Sequence, residues 1–204
     1  MSTAGPAKGQ EPKRQRGHIR VAAIMKAGFE LFSEKGYDGT TMTEIASRSG
    51  TAIASLYRFF PTKEALAEAL LLQYAKHALA GLDALAAQAN TMSPQSLADA
   101  FVDYSLALQS ERSFAIDLAD VGGAGSERRR QFRKAMLDAI GAILTSAVPS
   151  LPPTKAPVMA AILMNLFKGL AAVNAEKPAL RAELLAETKT MLGLYLTAAA
   201  SETD

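Results

Sequence analysis

Residues 40–66, TTMTEIASRSGTAIASLYRFFPTKEAL, decide the fold. Thr41 and Glu44 have the spacing of a capping box, in which hydroxyl and carboxylate each satisfy an orphan backbone N–H at a helix start. That spacing predicts a short helix with Ile45 and Ala46 turned inward. Gly50 follows Ser49 where the chain must turn steeply, and a glycine there supplies the backbone freedom such a turn uses. A second helix starts just after it. Ile53, Leu56, Tyr57 and Phe60 fall at i, i+3, i+4 and i+7, a stripe predicted to pack on the preceding helix. The opposite face carries Thr51, Ala54, Ser55 and Arg58. Pro61 forbids a smooth continuation, and Thr62 caps a further helix that opens with Lys63 and Glu64. Helix, glycine turn, helix and aromatic-Pro stop make the layout of a helix-turn-helix.

The remainder of the chain agrees with a DNA reader joined to a helical body. With 204 residues, 49% of them hydrophobic, a substantial core can be buried in one or two domains. The absence of cysteine excludes a disulfide framework, a thiol nucleophile and a cysteine-ligated zinc finger. No apolar run reaches the roughly 18 residues of a membrane span, and the polar, charged N-terminus does not read as a signal peptide. The expectation is a cytoplasmic protein with no membrane partner. The net charge of +2 is unevenly spread: residues 1–63 hold ten Lys or Arg against five Asp or Glu, a net +5, and the rest hold twelve against fifteen, a net −3. Lys13, Arg14, Arg16 and Arg20 concentrate the excess just before the first predicted helix, as a basic arm for phosphates or a minor groove. Residues 1–12, rich in Gly, Pro and polar residues, read equally as a solubilising disordered tail.

Beyond the motif, Ala and Leu dominate and β-branched runs are nearly absent, so the reading is helical throughout. The fourth helix should run from Lys63 into the Leu82–Gln88 region, with a possible break near Gly81. Ser93 and Pro94 read as N-cap and first residue of a fifth, reaching about Ser110. A sixth covers Ser113 to Val121 and ends in the Gly122-Gly123-Ala124-Gly125 loop. Ser126 caps a seventh that runs to Val148. Pro149 to Pro157, with four prolines, is a loop. Two last helices cover about Pro157 to Asn174 and Pro178 to Ala200.

The motif also resembles that of a known family. TetR-family bacterial transcriptional regulators join a helix ending in Leu-Phe-x-x-x-Gly-Tyr to a Thr-rich cap, an Ile-Ala pair, a glycine and then Leu-Tyr-x-x-Phe-x-x-Lys-Glu-x-Leu. Here Leu31, Phe32, Gly36, Tyr37, Thr40, Thr41, Ile45, Ala46, Gly50, Leu56, Tyr57, Phe60, Lys63, Glu64 and Leu66 stand in that order and spacing. The resemblance covers residues 18–70. Many members have a Ser-Lys-Gly-like stretch where this chain has Ala52, Ile53 and Ala54, which favours contact with thymine methyls or shape readout there.

The resemblance implies an all-α protein of about nine helices. A three-helix DNA-binding domain over residues 13–62 would precede a helical ligand-binding and dimerisation domain over 63–204. The candidate DNA contacts are Arg14, Arg16, Thr41, Thr43, Thr51, Ala54, Ser55, Tyr57, Arg58 and Lys63. Thr41 and Thr43 can donate to phosphate, though Thr41 serves equally as a simple cap. Tyr57 and Lys63 match family positions that hold phosphates. Arg58 and Ser55 are the side chains suited to base edges, since a guanidinium can meet two acceptors on guanine; Arg58 could equally hold a phosphate. Arg48 reads as a helix-dipole partner or a solvated charge.

Between Val158 and Val173 nearly every position is apolar or small, and a helix apolar all round must be covered on more than one side. The last helix repeats Leu180, Leu184, Thr188, Met191, Leu192 and Tyr195 at steps of three or four. Both helices could fill their own domain's core. The resemblance implies instead that they pair two chains, with Ala161, Met164, Ala172, Leu184, Thr188, Met191 and Tyr195 as interface candidates. A two-fold homodimer would meet an inverted-repeat operator in double-stranded DNA. The resemblance also implies a pocket for a small, largely apolar effector. Its candidate lining is Tyr74, His77, Phe101, Asp103, Tyr104, Phe114, Asp117, Met136, Asn165 and Lys168, each of which is alternatively ordinary core or surface. An effector acting through helix four would change the separation of the two recognition helices and release DNA, with repression the family's usual mode.

Two other classes compete. A DNA-binding module that senses nothing would share the same reader. An all-helical enzyme finds little support: two distant histidines, no Glu-x-x-His pair, no phosphate-cradling Gly loop and no Ser elbow leave no catalytic or metal constellation. No cofactor is expected.

Overall fold

The computed structural model describes residues 13–118, 125–173 and 176–201. Among these, nine α-helices follow one another with one 3-10 turn and no strand. They are α1 (Lys13–Lys35), α2 (Met42–Arg48), α3 (Ile53–Phe59), α4 (Lys63–Ala86), α5 (Pro94–Ala107), α6 (Gln109–Leu118), α7 (Gly125–Ala147), α8 (Lys155–Val173) and α9 (Pro178–Ser201). The 3-10 turn, Ala89–Thr91, lies between α4 and α5. The chain divides into two compact units, Met1–Leu70 and Leu71–Asp204.

In the first unit, α1 buries Ile24, Ala27, Leu31 and Phe32 along one stripe. Met42, Ile45 and Ala46 of α2, Leu56 of α3, and Leu66, Ala67 and Leu70 of α4 complete the core. Four of these, Ile24, Ile45, Leu56 and Leu66, are wholly excluded from solvent. The basic cluster is no arm. Lys13, Arg14, Arg16 and Arg20 belong to α1 itself, because Lys, Arg and Gln are good helix formers and nothing in 13–20 stops the helix.

In the second unit, α5 lies chiefly against α9 and α7 against α8. Phe101 of α5, Ile140, Ile143 and Leu144 of α7, and Met159 and Leu163 of α8 form its sealed centre. Leu192, Leu196 and Ala199 turn the buried edge of α9 inward. Ser93 caps α5 as its spacing predicts, its hydroxyl accepting the Ser96 N–H at 3.1 Å with Pro94 in the first turn.

Three predicted boundaries are corrected. α4 runs unbroken through Gly81, which serves close packing instead: a Cβ there would come within 2.8 Å of the Tyr104 ring. α5 stops at Ala107 and α6 begins at Gln109, earlier than the predicted Ser113. α7 begins at Gly125, so Ser126 lies inside its first turn rather than capping it. The predicted tail over residues 1–12 and the loop residues 119–124 lie outside the described residues.

Candidate nucleic-acid interface

Short-range hydrogen bonds fix each end of α2. Thr41 has extended backbone angles, its hydroxyl accepts the Glu44 N–H at 3.2 Å, and Glu44 Oε2 accepts the Thr41 N–H at 2.9 Å. This is the predicted capping box. Lys35 adds an ion pair to Glu44 at 2.6 Å. Together, Lys35 first and then the Thr41 backbone and hydroxyl, they lower the Glu44 carboxyl from 4.5 to about 2. Arg48, at the other end, pairs with Glu34 at 2.6 Å, a specific partner that its reading as a helix-dipole partner or solvated charge did not include.

The turn between α2 and α3 is a Schellman motif. Gly50 takes a positive φ of 61°, the Thr51 N–H reaches the Ala46 carbonyl at 2.9 Å, and the Gly50 N–H reaches Ser47 at 3.1 Å. Two orphan carbonyls of α2 are thereby satisfied. Thr51 is consequently held in the turn, 8% exposed, with its hydroxyl directed to the Ser49 carbonyl. That placement sets it apart from the other candidate DNA contacts.

α3 departs from the predicted stripe. Leu56 is fully buried and Phe60, just past the helix, is 8% exposed, whereas Ile53 and Tyr57 are 40% and 47% exposed. A helix of barely two turns resting on α2 offers a narrow buried edge, and one inward residue per turn fills it. The open face is therefore wider than the spacing alone gave. It carries Ile53, Ala54, Tyr57 and Arg58, with Ser55 half-buried at its margin. The Arg58 guanidinium rests 5.1 Å from the centre of the Phe59 ring, which holds the charge at the surface.

The remaining candidates scatter around this face. Thr43 is exposed on α2; Thr41 is exposed too, but its hydroxyl is engaged with Glu44 at 2.9 Å. Arg16 is exposed on α1, and the side chain of Arg14 lies outside the described residues. Lys63 is half-buried, and its ammonium donates to the carbonyls of Tyr37 at 2.8 Å and Thr40 at 3.0 Å. Arg20, read from the sequence as part of a basic arm and not among the individual candidate contacts, joins the face from α1, donating to the Ser55 hydroxyl at 3.3 Å. Its register was a usable signal, since Arg20 stands at i−4, i−7 and i−11 from the buried Ile24, Ala27 and Leu31.

In the second unit the effector candidates separate into two groups. Tyr74, Phe101, Tyr104 and Met136 come together in the core with Phe132 and Phe167. Ring centres there lie 5.5 Å apart for Tyr74 and Phe132, 5.9 Å for Phe101 and Phe167, and 6.2 Å for Tyr104 and Phe167. The Tyr104 hydroxyl donates to the Ala78 carbonyl at 2.9 Å. Burial raises both phenols, Tyr74 to about 12 and Tyr104 further, while the nearby Arg112 guanidinium pulls the other way. Arg112 was not foreseen; it donates to the Phe167 carbonyl at 2.5 Å. His77, Asp103, Asn165 and Lys168 are on the surface instead, with His77 3.0 Å from Glu111 and Asp103 2.7 Å from Lys189. The side chains of Phe114 and Asp117 lie outside the described residues.

The dimer candidates are also divided. Leu184 and Met191 are exposed, Ala161, Thr188 and Tyr195 are half-buried, and the side chain of Ala172 is outside the described residues. Met164 is 8% exposed and packed in the core, its sulfur 3.2 Å from Arg133 Nη1. The exposed large apolar residues on the described part of α8 are Val158 and Ile162, six and two residues before Met164.

Comparison with known proteins agrees with this geometry. Residues 24–70, which hold α2 and α3 with the end of α1 and the start of α4, match the model for bacterial regulatory proteins of the tetR family. The uncharacterized HTH-type transcriptional regulator YvkB of Bacillus subtilis is 39% identical over 54 residues, 26% of this chain and 29% of that protein. RutR of Escherichia coli, an HTH-type transcriptional regulator, is 39% identical over 62 residues, 30% of this chain and 29% of its own. The chain thus aligns with less than a third of the length of either relative. The fold likeness extends further: the structure of a SmeT–triclosan complex superposes over 88% of this chain and 90% of that one, with a TM-score of 0.66 at 16% identity. Motif and turn geometry concur with the family match over residues 24–70, which form a helix-turn-helix of the tetR-family type, and the chain shares its helical fold with that complex.

Proposed function

We propose that this chain is a transcriptional repressor that binds an inverted-repeat operator as a homodimer and lets go when a small, largely apolar effector binds its helical unit. The observation that carries the reading is the presentation of α3. Leu56 is sealed at 0% exposure while Tyr57 and Arg58 beside it stand free, on a helix anchored by the capping box and the Schellman turn before it. A short rigid helix with one open polar and aromatic face suits a major groove, where Arg58 can meet guanine and Tyr57 a phosphate.

The second copy is supported by α8 and α9. Val158 and Ile162 leave an apolar edge on α8, and Leu180, Leu184, Met191 and Leu194 leave another on α9, all at least 37% exposed. Along α9 these residues fall at steps of four, seven and three, with Glu187 midway, a seam of the kind that meets another helix. Two copies joined there would supply two α3 helices to one operator. The effector site is supported by the aromatic cluster of Tyr74, Phe101, Tyr104 and Phe167 with Arg112 at its margin. SmeT, of similar fold, holds triclosan. A cytoplasmic location is consistent with the absence, among the described residues, of any helix long and apolar enough to cross a membrane.

The test is to incubate the protein with sheared genomic DNA of its source, recover bound fragments near physiological salt, and sequence them. Enriched fragments sharing an inverted repeat are expected. Recovery no richer than bulk DNA, from protein shown to be folded, would overturn the reading.

A further inference from the structure

The α1–α2 loop is held from several sides at once. Gly36 turns at a φ of 73° with its N–H on the Phe32 carbonyl at 2.9 Å, which ends α1. Thr40, 1% exposed, donates its hydroxyl to the carbonyls of Leu31 at 3.1 Å and Gly36 at 2.9 Å. The Tyr37 carbonyl accepts the Thr40 N–H at 3.3 Å, and it and the Thr40 carbonyl both converge on the Lys63 ammonium at 2.8 and 3.0 Å. That ammonium also lies 4.2 Å from the centre of the Tyr37 ring. Carbonyl dipoles and an aromatic face together replace much of the water around a half-buried cation. Of three ammonium N–H groups, two are committed to the loop, leaving at most one for anything else.

Lys63 is the first residue of α4, and Thr41, directly after the held carbonyl of Thr40, is the N-cap of α2. The contact therefore ties the start of α4 to the strap that delivers α2, and α2 in turn carries α3. We propose that Lys63 is a positioning residue for DNA recognition, which acts by closing the loop over residues 37–40 from inside the protein rather than by lying on a phosphate. It rests on the reading of α3 as a DNA reader and differs from the phosphate role that the family resemblance implied for this lysine.

Two measurements on Lys63→Met decide it. Amide hydrogen exchange of the DNA-free protein should show residues 37–44 exchanging about tenfold faster than in the parent, because the carbonyls lose their tie. Binding to a mixed-sequence 30-base-pair duplex should weaken several-fold, while the slope of log K against log salt stays that of the parent. A lost phosphate contact would instead reduce the slope by about 0.9 for each protomer. A reduced slope with unchanged exchange overturns the proposal in favour of a phosphate ligand. Faster exchange with unchanged DNA affinity also overturns it, leaving a purely structural tie. Should Lys63→Met fail to fold, Lys63→Gln carries the same two readouts. If the parent itself binds no duplex, the DNA-reading function fails, and exchange still shows whether the tie exists.

Discussion

At the scale of single residues, Thr41 and Glu44 give the most direct reading of sequence into energy. Removing a capping hydroxyl typically costs about 1 kcal/mol, so Thr41→Ala should lower stability by about that amount in a denaturant titration. The same pair carries a pH signature. The folded Glu44 carboxyl sits near 2, below its ordinary 4.5, so its contribution is present above 4.5 and is lost as pH falls toward 2. Melting temperatures of the parent and Glu44→Gln should therefore differ at pH 7, with the difference shrinking below 4.5 and vanishing only as pH falls through about 2; a constant difference would contradict the assignment. Arg58 is expected to act on preference rather than on affinity alone. Arg58→Ala should change discrimination at one operator base pair by about 1 to 3 kcal/mol, measured across single-base operator variants. Equal loss on all variants would make Arg58 a phosphate contact. The caps at Thr41 and Ser93 were legible because such spacing is local, whereas the cap read at Ser126 was not, since α7 begins one residue before it. The fate of Thr51 and Lys63 was not, since one depends on a six-to-one turn bond and the other on carbonyls 23 and 26 residues away.

At the scale of elements, the helices were readable and their buried faces less so. Periodicity places Ile53, Leu56, Tyr57 and Phe60 on one side of α3, but only contact with α2 decides how much of that side is covered. Leu56 alone within α3 is sealed, so Leu56→Ala should destabilise the first unit by about 2 to 5 kcal/mol, read by denaturant unfolding. Ile53→Ala, at 40% exposure, should cost far less and act mainly on DNA binding. A comparable stability loss at both positions would contradict the observed burial. The glycine at 81 shows the same limit: composition marks it as a weak point of α4, whereas packing against Tyr104 makes it a close-approach site. The basic residues ahead of Ile24 were legible as charge but not as helix, and Arg20 reaches Ser55 only because α1 extends that far.

At the scale of the whole molecule, the all-helical architecture followed from composition; a reader joined to a larger helical unit is the expectation that the motif and the charge division raise, and the chain parts into two compact units at Leu70. The effector candidates were less legible. Aromatic and methionine residues at helical spacing look alike whether they line a site or fill a core, and the polar candidates His77, Asp103, Asn165 and Lys168 proved to be surface residues. Association is the next expectation to test at this scale. Met191→Glu with Leu194→Glu places two charges on the exposed seam of α9 without touching its buried edge, so sedimentation should show monomers that keep the parent's helical content. Dimers that survive both charges would move the interface elsewhere. If each protomer meets about four phosphates, the dimer's salt slope should lie near −7, and the charged variant should show about half of it.

The most direct measurement is a hydroxyl-radical footprint of the protein on a fragment recovered from genomic DNA. Two α3 helices presented by a two-fold dimer should protect two symmetric patches on one face of the duplex, centred about one helical turn or a multiple of it apart. A single patch, or even protection along the whole fragment, would contradict a dimeric reader built on α3.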